Sequence, residues 1–258
     1  MNNLTHLKIL ITRPAQQAKN LAAAILAYGG ETISFPTLEI IAITKENFLK
    51  QTKKIGFYDF VIFLSPNAVL KTANYIYKIY PDWPTQTKIM AIGSGTANAL
   101  KQEGLPVDYY PKKNFSSEGL LELPSLQNPK QKKILILQGE KGRGYLDKEL
   151  EKKGAHVTTV NTYKRLCPHI TKKCIPNPNT VNIIICTSNT GLKNLITLLQ
   201  PYWHATLLDK QLLLISPRIA DYAKKLGFVK PPLISDNASN AAILQTLSAY
   251  AKENFREL

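Results

Sequence analysis

The chain has 258 residues, of which 44% are hydrophobic and 20% charged, a balance typical of a folded globular protein with room for two ordinary domains. No apolar run approaches the roughly 20 residues that a membrane-spanning helix needs, and a strand is predicted so early that we expect no signal peptide. The net charge of +15 favours a polyanionic partner, although the lysines come in dispersed pairs that a solvated surface also explains.

The cysteines and histidines point away from disulfide and metal sites. Cys167, Cys174 and Cys186 are odd in number and have no CxxC spacing, so we expect reduced thiols and a cytoplasmic protein. The four histidines are scattered, and none pairs with a cysteine at a metal-ligand spacing. The sequence therefore predicts no metal site.

The first half of the chain alternates short apolar runs with amphipathic stretches. In chain order it predicts strand Lys8–Thr12, helix Ala15–Ala27, an extended run Thr32–Ile43, helix Lys45–Lys54, strand Tyr58–Leu64, helix Ala68–Tyr80, strand Lys88–Ile92, helix Thr96–Glu103, strand Val107–Tyr110, helix Ser116–Leu123 and a link Pro124–Lys130.

The second half has the same alternation. It predicts strand Ile134–Leu137, helix Leu146–Lys153, an extended run Val157–Leu166, a proline-broken stretch Pro168–Asn179, strand Val181–Thr187, helix Thr190–Leu199, strand Gln211–Ile215, helix Ile219–Leu226, a short edge Pro232–Ser235 and helix Ala238–Phe255. Strands that alternate with helices indicate parallel sheets covered on both faces, so the predicted fold class is α/β with two doubly wound domains.

A fixed offset shows that the two halves are related. Shifting Lys8–Ile40 by 125 residues places it on Lys133–Arg165 without a gap, and Lys8, Ile9, Leu10, Ile11, Leu21, Gly29 and Thr37 meet identical residues. Later the offset becomes 123, which places FVIFLS (60–65) on IIICTS (183–188) and SSEGLL (116–121) on SNAAIL (239–244). A nearly constant offset across several blocks indicates an internal duplication.

The turns that follow the strands are the candidate ligand-binding positions, because ligands of doubly wound sheets bind beyond the carboxyl ends of the strands. They are rich in Ser, Thr and Gly, which suits carboxylate or phosphate binding, although helix capping explains each Ser and Thr singly. The stretch 93–98 lacks the third glycine of a dinucleotide-binding motif, and the stretch 139–144 lacks the Gly-Lys-Ser/Thr sequence of a phosphate-binding P-loop. Without these motifs, the sequence predicts either a reaction that needs no cofactor or metal, or ligand binding without a reaction.

Several of these blocks together resemble the uroporphyrinogen-III synthase family, and the resemblance covers nearly the whole chain. They are Ile11-Thr12-Arg13-Pro14, Phe63 to Val69, Ala91-Ile92-Gly93 with Thr96-Ala97, Ser116 to Leu120, Gly139-Glu140 with Gly142-Arg143, and Tyr163-Lys164-Arg165. Each block alone is weak, whereas their order and spacing are more specific.

The resemblance implies two similar flavodoxin-like domains joined by a two-stranded linker. One domain would comprise residues 1–35 and 167–258, the other 44–158, and the linker strands 36–43 and 159–166. Periodicity alone would instead divide the chain near residue 128.

The resemblance also implies a reaction. The family converts hydroxymethylbilane, a linear tetrapyrrole with eight carboxylates, into uroporphyrinogen III, with loss of water, ring closure and inversion of the terminal pyrrole, and without cofactor or metal. Tyr163 matches the family's tyrosine, and a phenol is protonated at neutral pH and can donate. The candidate substrate contacts carried over by match to the family blocks are Arg13, Ser65, Thr96, Ser117, Arg143 and Ser188.

One turn departs from the family pattern. Where the family often has Gly-x-Thr or Gly-Pro-Thr, this chain has Ser216-Pro217-Arg218, so a hydroxyl after Pro217 is missing. Arg218 or Ser216 is the candidate replacement.

We expect a monomer that binds a small polycarboxylate and neither nucleic acid nor membrane. The alternatives are a non-catalytic two-lobed binder of a polyanionic metabolite or nucleic acid, and a synthase that kept the fold and lost its activity.

Overall fold

The computed structural model describes residues 4–43, 45–140, 142 and 144–255. These ranges contain ten strands: β1 (Lys8–Ile11), β2 (Glu31–Ser34), β3 (Glu39–Ala42), β4 (Phe60–Phe63), β5 (Lys88–Ala91), β6 (Lys133–Gly139), β7 (His156–Leu166), β8 (Ile183–Cys186), β9 (Gln211–Leu214) and β10 (Leu233–Ile234). They also contain ten α-helices: α1 (Ala15–Ala27), α2 (Lys45–Thr52), α3 (Pro66–Ile79), α4 (Ser94–Gln102), α5 (Ser117–Leu121), α6 (Pro124–Gln127), α7 (Tyr145–Lys152), α8 (Asn189–Trp203), α9 (Pro217–Lys225) and α10 (Asn240–Asn254). The predicted α/β class is confirmed.

The chain divides into two compact units, each containing one five-stranded sheet. Unit 1 takes the described residues up to Glu39 and from Leu166 onward, and its strand order is β10-β9-β8-β1-β2. Unit 2 takes Ile40–Arg165, and its strand order is β3-β7-β6-β4-β5. The strand pairs whose register is described all run parallel.

The internal repeat explains why the two sheets look alike. At offsets of 125 and 123 residues, β1 and β2 correspond to β6 and the start of β7, whereas β8 and β9 correspond to β4 and β5. Corresponding strands therefore stand in the same order in both sheets. Each unit combines the first β-α-β segment of one repeat with the later strands of the other.

Side chains of the central strands alternate between two covered faces of each sheet. In β4, Val61 and Phe63 pack into one hydrophobic cluster, and Phe60 and Ile62 pack into another on the opposite face. The clusters on the two faces of unit 1 divide the residues of β1 in the same way. Because helices cover both faces, these strands read as continuous apolar runs in the sequence.

In the part of the chain that the structure describes, four helices begin at a serine whose Oγ accepts a hydrogen bond from the N–H three residues later, namely Ser65, Ser116, Ser188 and Ser239. These serines form two pairs separated by 123 residues, so the duplication retained the caps as well as the strands. Ser216 holds the corresponding position before α9, but its side chain makes no capping bond.

This difference predicts unequal stability losses. Ser188→Ala removes a 3.0 Å bond from the Gly191 N–H and should lower the free energy of unfolding by about 1 kcal/mol. Ser216→Ala removes no such bond and should cost a few tenths of a kcal/mol. Urea unfolding of both variants measures the difference, and equal losses would contradict the capping assignment.

Three predicted elements differ in the structure for reasons that involve tertiary packing or proline. The predicted strand Val107–Tyr110 is reduced to one parallel bridge between Tyr109 and Met90. The predicted link after Pro124 contains the short helix α6, because proline is tolerated in the first turn of a helix.

The helix predicted to end at Leu199 continues to Trp203, with Pro201 inside it. The Trp203 ring is buried and its Nε1–H donates to the Pro176 carbonyl at 2.9 Å, so tertiary packing outweighs the interruption at Pro201. No helix in the described ranges is long and apolar enough to cross a membrane.

Candidate active site

A cavity of about 210 Å³ opens in unit 2 at the carboxyl ends of β4 and β6. Its wall includes residues from the turns after both strands, the start of α5, the first turn of α7 and the second half of β7. This is the position where parallel α/β sheets hold their ligands, because the turns there expose polar groups to a common space.

Tyr163 provides a hydroxyl on the cavity wall. Its side chain is only 2% exposed, yet its Oη lies 3.1 Å from Ser65 Oγ and accepts a hydrogen bond of 2.9 Å from Nη2 of Arg165. The Arg165 guanidinium also stands over the phenol ring, with 5.1 Å between its Cζ and the ring centroid. A guanidinium can only donate, so the phenol hydrogen is left for Ser65 or for a molecule in the cavity.

A β-bulge brings Tyr163 to this position. The β6–β7 register pairs Gln138 with Asn161 and then Gly139 with Tyr163, so Thr162 is the extra residue. Thr162 donates its hydroxyl to the Gln138 carbonyl at 2.9 Å, and the Glu140 N–H donates to the Tyr163 carbonyl at 2.8 Å. Bulges of this kind redirect a side chain, here the one that carries the phenol.

Gly139 allows the ring to lie directly against the backbone. A Cβ atom at this position would stand 2.5 Å from Cζ of Tyr163 and 2.8 Å from its Oη, closer than packed atoms approach. Glycine is therefore required here for close approach and not for an unusual backbone conformation.

Two serines reach the cavity from helix starts. Ser65 Oγ accepts the Ala68 N–H at 3.1 Å as the cap of α3, and its own hydrogen remains available to Tyr163 or to a ligand. Ser117 is the first residue of α5 and is 6% exposed. Both residues were predicted as substrate contacts, and both line the cavity that Tyr163 also lines.

Among the described residues, the charged side chains on this wall are Glu140, Asp147 and Arg165. Asp147 lies in the first turn of α7, where a carboxylate complements the positive end of the helix dipole. Arg143, which was predicted as a substrate contact, lies outside the described residues. Sequence reasoning missed all three charged groups, although Arg165 follows Tyr163 by two residues on a strand and therefore shares its face.

The other predicted contacts lie elsewhere in the fold. Thr96 is buried in α4 and is not on the cavity wall. Ser188, Ser216 and Arg218 belong to unit 1, where Ser188 caps α8 and Arg218 is exposed.

Arg13, also in unit 1, is 7% exposed and is held within the fold. Its guanidinium donates to the Ala238 carbonyl at 2.6 Å and to Asn240 Oδ1 at 3.2 Å, and burial lowers the pKa of Arg13. The side chain therefore ties the turn after β1 to the start of α10.

Comparison with known proteins identifies relatives that align with this chain over their whole length. A family model described as uroporphyrinogen-III synthase HemD matches residues 19–245. The chain is 33% identical over 248 residues to the uroporphyrinogen-III synthase of Salmonella typhimurium, and 31% identical over 247 residues to that of Escherichia coli. Each alignment covers 93% of this chain and 100% of the relative.

Solved structures resemble the fold. Uroporphyrinogen-III synthetase from Helicobacter pylori matches with a TM-score of 0.60 at 16% identity, covering 95% of this chain and 99% of that one. A mutant uroporphyrinogen III synthase from Thermus thermophilus matches with a TM-score of 0.59 at 15% identity, covering 97% and 100%. At these identities the structural likeness establishes the α/β fold alone.

Proposed function

The chain belongs to the uroporphyrinogen-III synthase family, and we propose on that basis that it closes hydroxymethylbilane to uroporphyrinogen III. The reaction removes water and inverts the terminal pyrrole ring. The chain is thus a cyclising lyase of tetrapyrrole biosynthesis, as the relatives that match it over their full length support.

The observation that carries the mechanism is the hydroxyl of Tyr163, held between Ser65 and Arg165 on the cavity wall. The substrate's hydroxyl is a poor leaving group until it receives a proton. We propose that Tyr163 donates this proton, because general acids act on groups within hydrogen-bond reach and this phenol faces the cavity. Loss of water then leaves a cationic azafulvene, which the electron-rich terminal pyrrole attacks.

The size of the cavity limits what enters it. A volume of about 210 Å³ is below the roughly 300–1,000 Å³ of pockets that bury drug-sized ligands. We therefore propose that the cavity receives the hydroxymethyl end of the substrate, one pyrrole with its acid side chains, and not all four rings. The net charge of +15 supports attraction of a substrate with eight carboxylates.

The organisation into domains is part of the proposal. We propose that units 1 and 2 are the two similar domains predicted from the sequence, with 36–43 and 159–166 as the linker strands. The adjacency of β3 and β7 in one sheet, with β7 continuing to Leu166, supports this assignment. Ser65 and Ser117 are proposed as contacts within the cavity, whereas Arg13, Thr96, Arg143, Ser188, Ser216 and Arg218 stay predictions.

We also propose that the chain acts as a cytoplasmic monomer. The cavity is lined by residues of one unit of a single chain, which supports function without a partner copy. Cys167 and Cys174 are exposed and unpaired, as suits a reducing compartment. Burial raises the pKa of the Cys186 thiol to about 12, so this third cysteine stays neutral and unreactive.

Product analysis tests the function directly. Added to freshly made hydroxymethylbilane, the protein should yield the type III isomer, which requires inversion of the terminal ring. Chromatographic separation of the type I and type III products measures the ratio. A product that is entirely type I would mean that the chain binds the tetrapyrrole or nothing at all, and would refute the assigned reaction.

A further inference from the structure

The contact between Arg165 and Tyr163 indicates that Arg165 also takes part in the reaction proposed for this cavity. We propose that Arg165 is a positioning residue, which directs the phenol proton into the cavity and couples its transfer to binding of a substrate carboxylate. This inference rests on the proposed function. The inference adds Arg165 to the proposed mechanism, as a residue whose side chain acts through Tyr163.

The direction of the proton follows from the donors and acceptors around Oη. Arg165 donates to Oη at 2.9 Å and cannot accept a hydrogen bond in return, so the phenol hydrogen must point elsewhere. Among the described residues, the other hydrogen-bond partner of Oη is Ser65 Oγ at 3.1 Å, which already accepts the Ala68 N–H. The phenol hydrogen therefore points toward Ser65 or toward a substrate in the cavity.

The charge of Arg165 matters once the proton has moved. Tyr163 Oη gives its proton to the departing oxygen as the C–O bond breaks, and the bonding electron pair leaves with the water. The pyrrole nitrogen donates electrons to the carbon, which produces the azafulvene, and Tyr163 becomes a phenolate. A guanidinium 2.9 Å from that oxygen stabilises the new negative charge, and the proton released by the terminal pyrrole at ring closure restores the phenol.

The remaining donors of Arg165 are available to a ligand in the cavity. Arg165 is an exposed side chain on the cavity wall, and the hydrogen bond that the structure gives its guanidinium uses Nη2. A guanidinium has five N–H donors in a planar fork that matches a carboxylate. The other N–H groups can therefore hold an acetate or propionate of the same pyrrole while Nη2 holds Tyr163.

The test compares Arg165→Gln and Arg165→Lys with Lys164→Gln, assayed for type III product and for thermal unfolding. Lys164 is the neighbouring residue on β7, its side chain belongs to the opposite strand face, and it is not on the cavity wall. We expect Arg165→Gln to lower kcat by about 10- to 100-fold, with a smaller rise in KM, because it removes a charge-assisted bond made in the transition state. Lys164→Gln should stay within about 2-fold of the parent chain, and Arg165→Lys should recover part of the loss.

A double-mutant cycle with Tyr163→Phe distinguishes positioning from a general structural role. If Arg165 acts through the phenol, Arg165→Gln should change kcat by less than about 3-fold in the Tyr163→Phe background. Equal effects of Arg165→Gln in both backgrounds, or a loss no larger than that of Lys164→Gln, would overturn the inference. A parent chain that forms only type I product would instead refute the function, so the two failures are distinguishable.

Discussion

Tyr163→Phe is expected to lower kcat for type III product by about 10²- to 10⁴-fold, the usual contribution of a positioned general acid. The substitution keeps the ring that packs against Gly139 and removes only the hydroxyl bonded to Ser65 and Arg165. Binding of the carboxylates should persist, so KM should change much less than kcat. Steady-state assays with separation of the two isomers measure both constants.

Tyr77→Phe is the matched control for this prediction. Tyr77 is half-buried in the same unit and donates its hydroxyl to the Glu103 carbonyl at 2.6 Å, but it is not on the cavity wall. Both variants should lose about 1 kcal/mol of unfolding free energy, since each loses a side-chain hydrogen bond, but only Tyr163→Phe should lose turnover. Turnover by Tyr163→Phe within about 3-fold of the parent chain would remove Tyr163 as the proton donor.

Gly139→Ala is expected to damage both the fold and the reaction. The added methyl carbon would meet Cζ of Tyr163 at 2.5 Å, so either the ring or the bulge must shift. Overpacking of this kind costs about 1–3 kcal/mol of unfolding free energy. Displacing the phenol by about 1 Å should also lower kcat by about 100-fold, because proton transfer depends on the position of Oη.

Gly56→Ala provides the comparison within the same unit. A Cβ atom there would have Gln86 Nε2 at 3.5 Å as its nearest neighbour, an ordinary contact distance. This variant should unfold within about 0.5 kcal/mol of the parent chain and keep its turnover. Urea unfolding and the isomer assay measure both variants, and equal stability for Gly139→Ala and Gly56→Ala would contradict the close approach described for Tyr163.

Much of the fold was predictable from local patterns. Strands such as β4 and β8 are apolar throughout. Some helices begin at a serine cap, as α3 and α8 do, and others end at a glycine, as α4 and α7 do. The alternation of such strands and helices alone indicated the α/β class. The pattern could not decide which sheet receives which strand. The sequence KILI occurs in both β1 and β6, so either strand could occupy the central position of either sheet.

The candidate site was predictable only in part. Tyr163, Ser65 and Ser117 were identified through resemblance to a family, and they share one cavity wall in the structure. Glu140 and Asp147 were missed, because no sequence pattern specified which side of the turn after β6 faces the cavity. The requirement for glycine at 139 depends on a bulge in the register with β7, which local sequence does not report.

The exchange of β-α-β segments between the repeats has a consequence for synthesis. Unit 2 is one continuous stretch, so we expect it to fold while the rest of the chain is still being made. β1, by contrast, lies between β2 and β8, and β8 follows it by about 170 residues. At the usual pace of translation, about 5–20 residues per second, β1 waits roughly 10–35 s with one apolar edge unpaired. During that interval the nascent chain presents a binding site for chaperones that its finished form conceals.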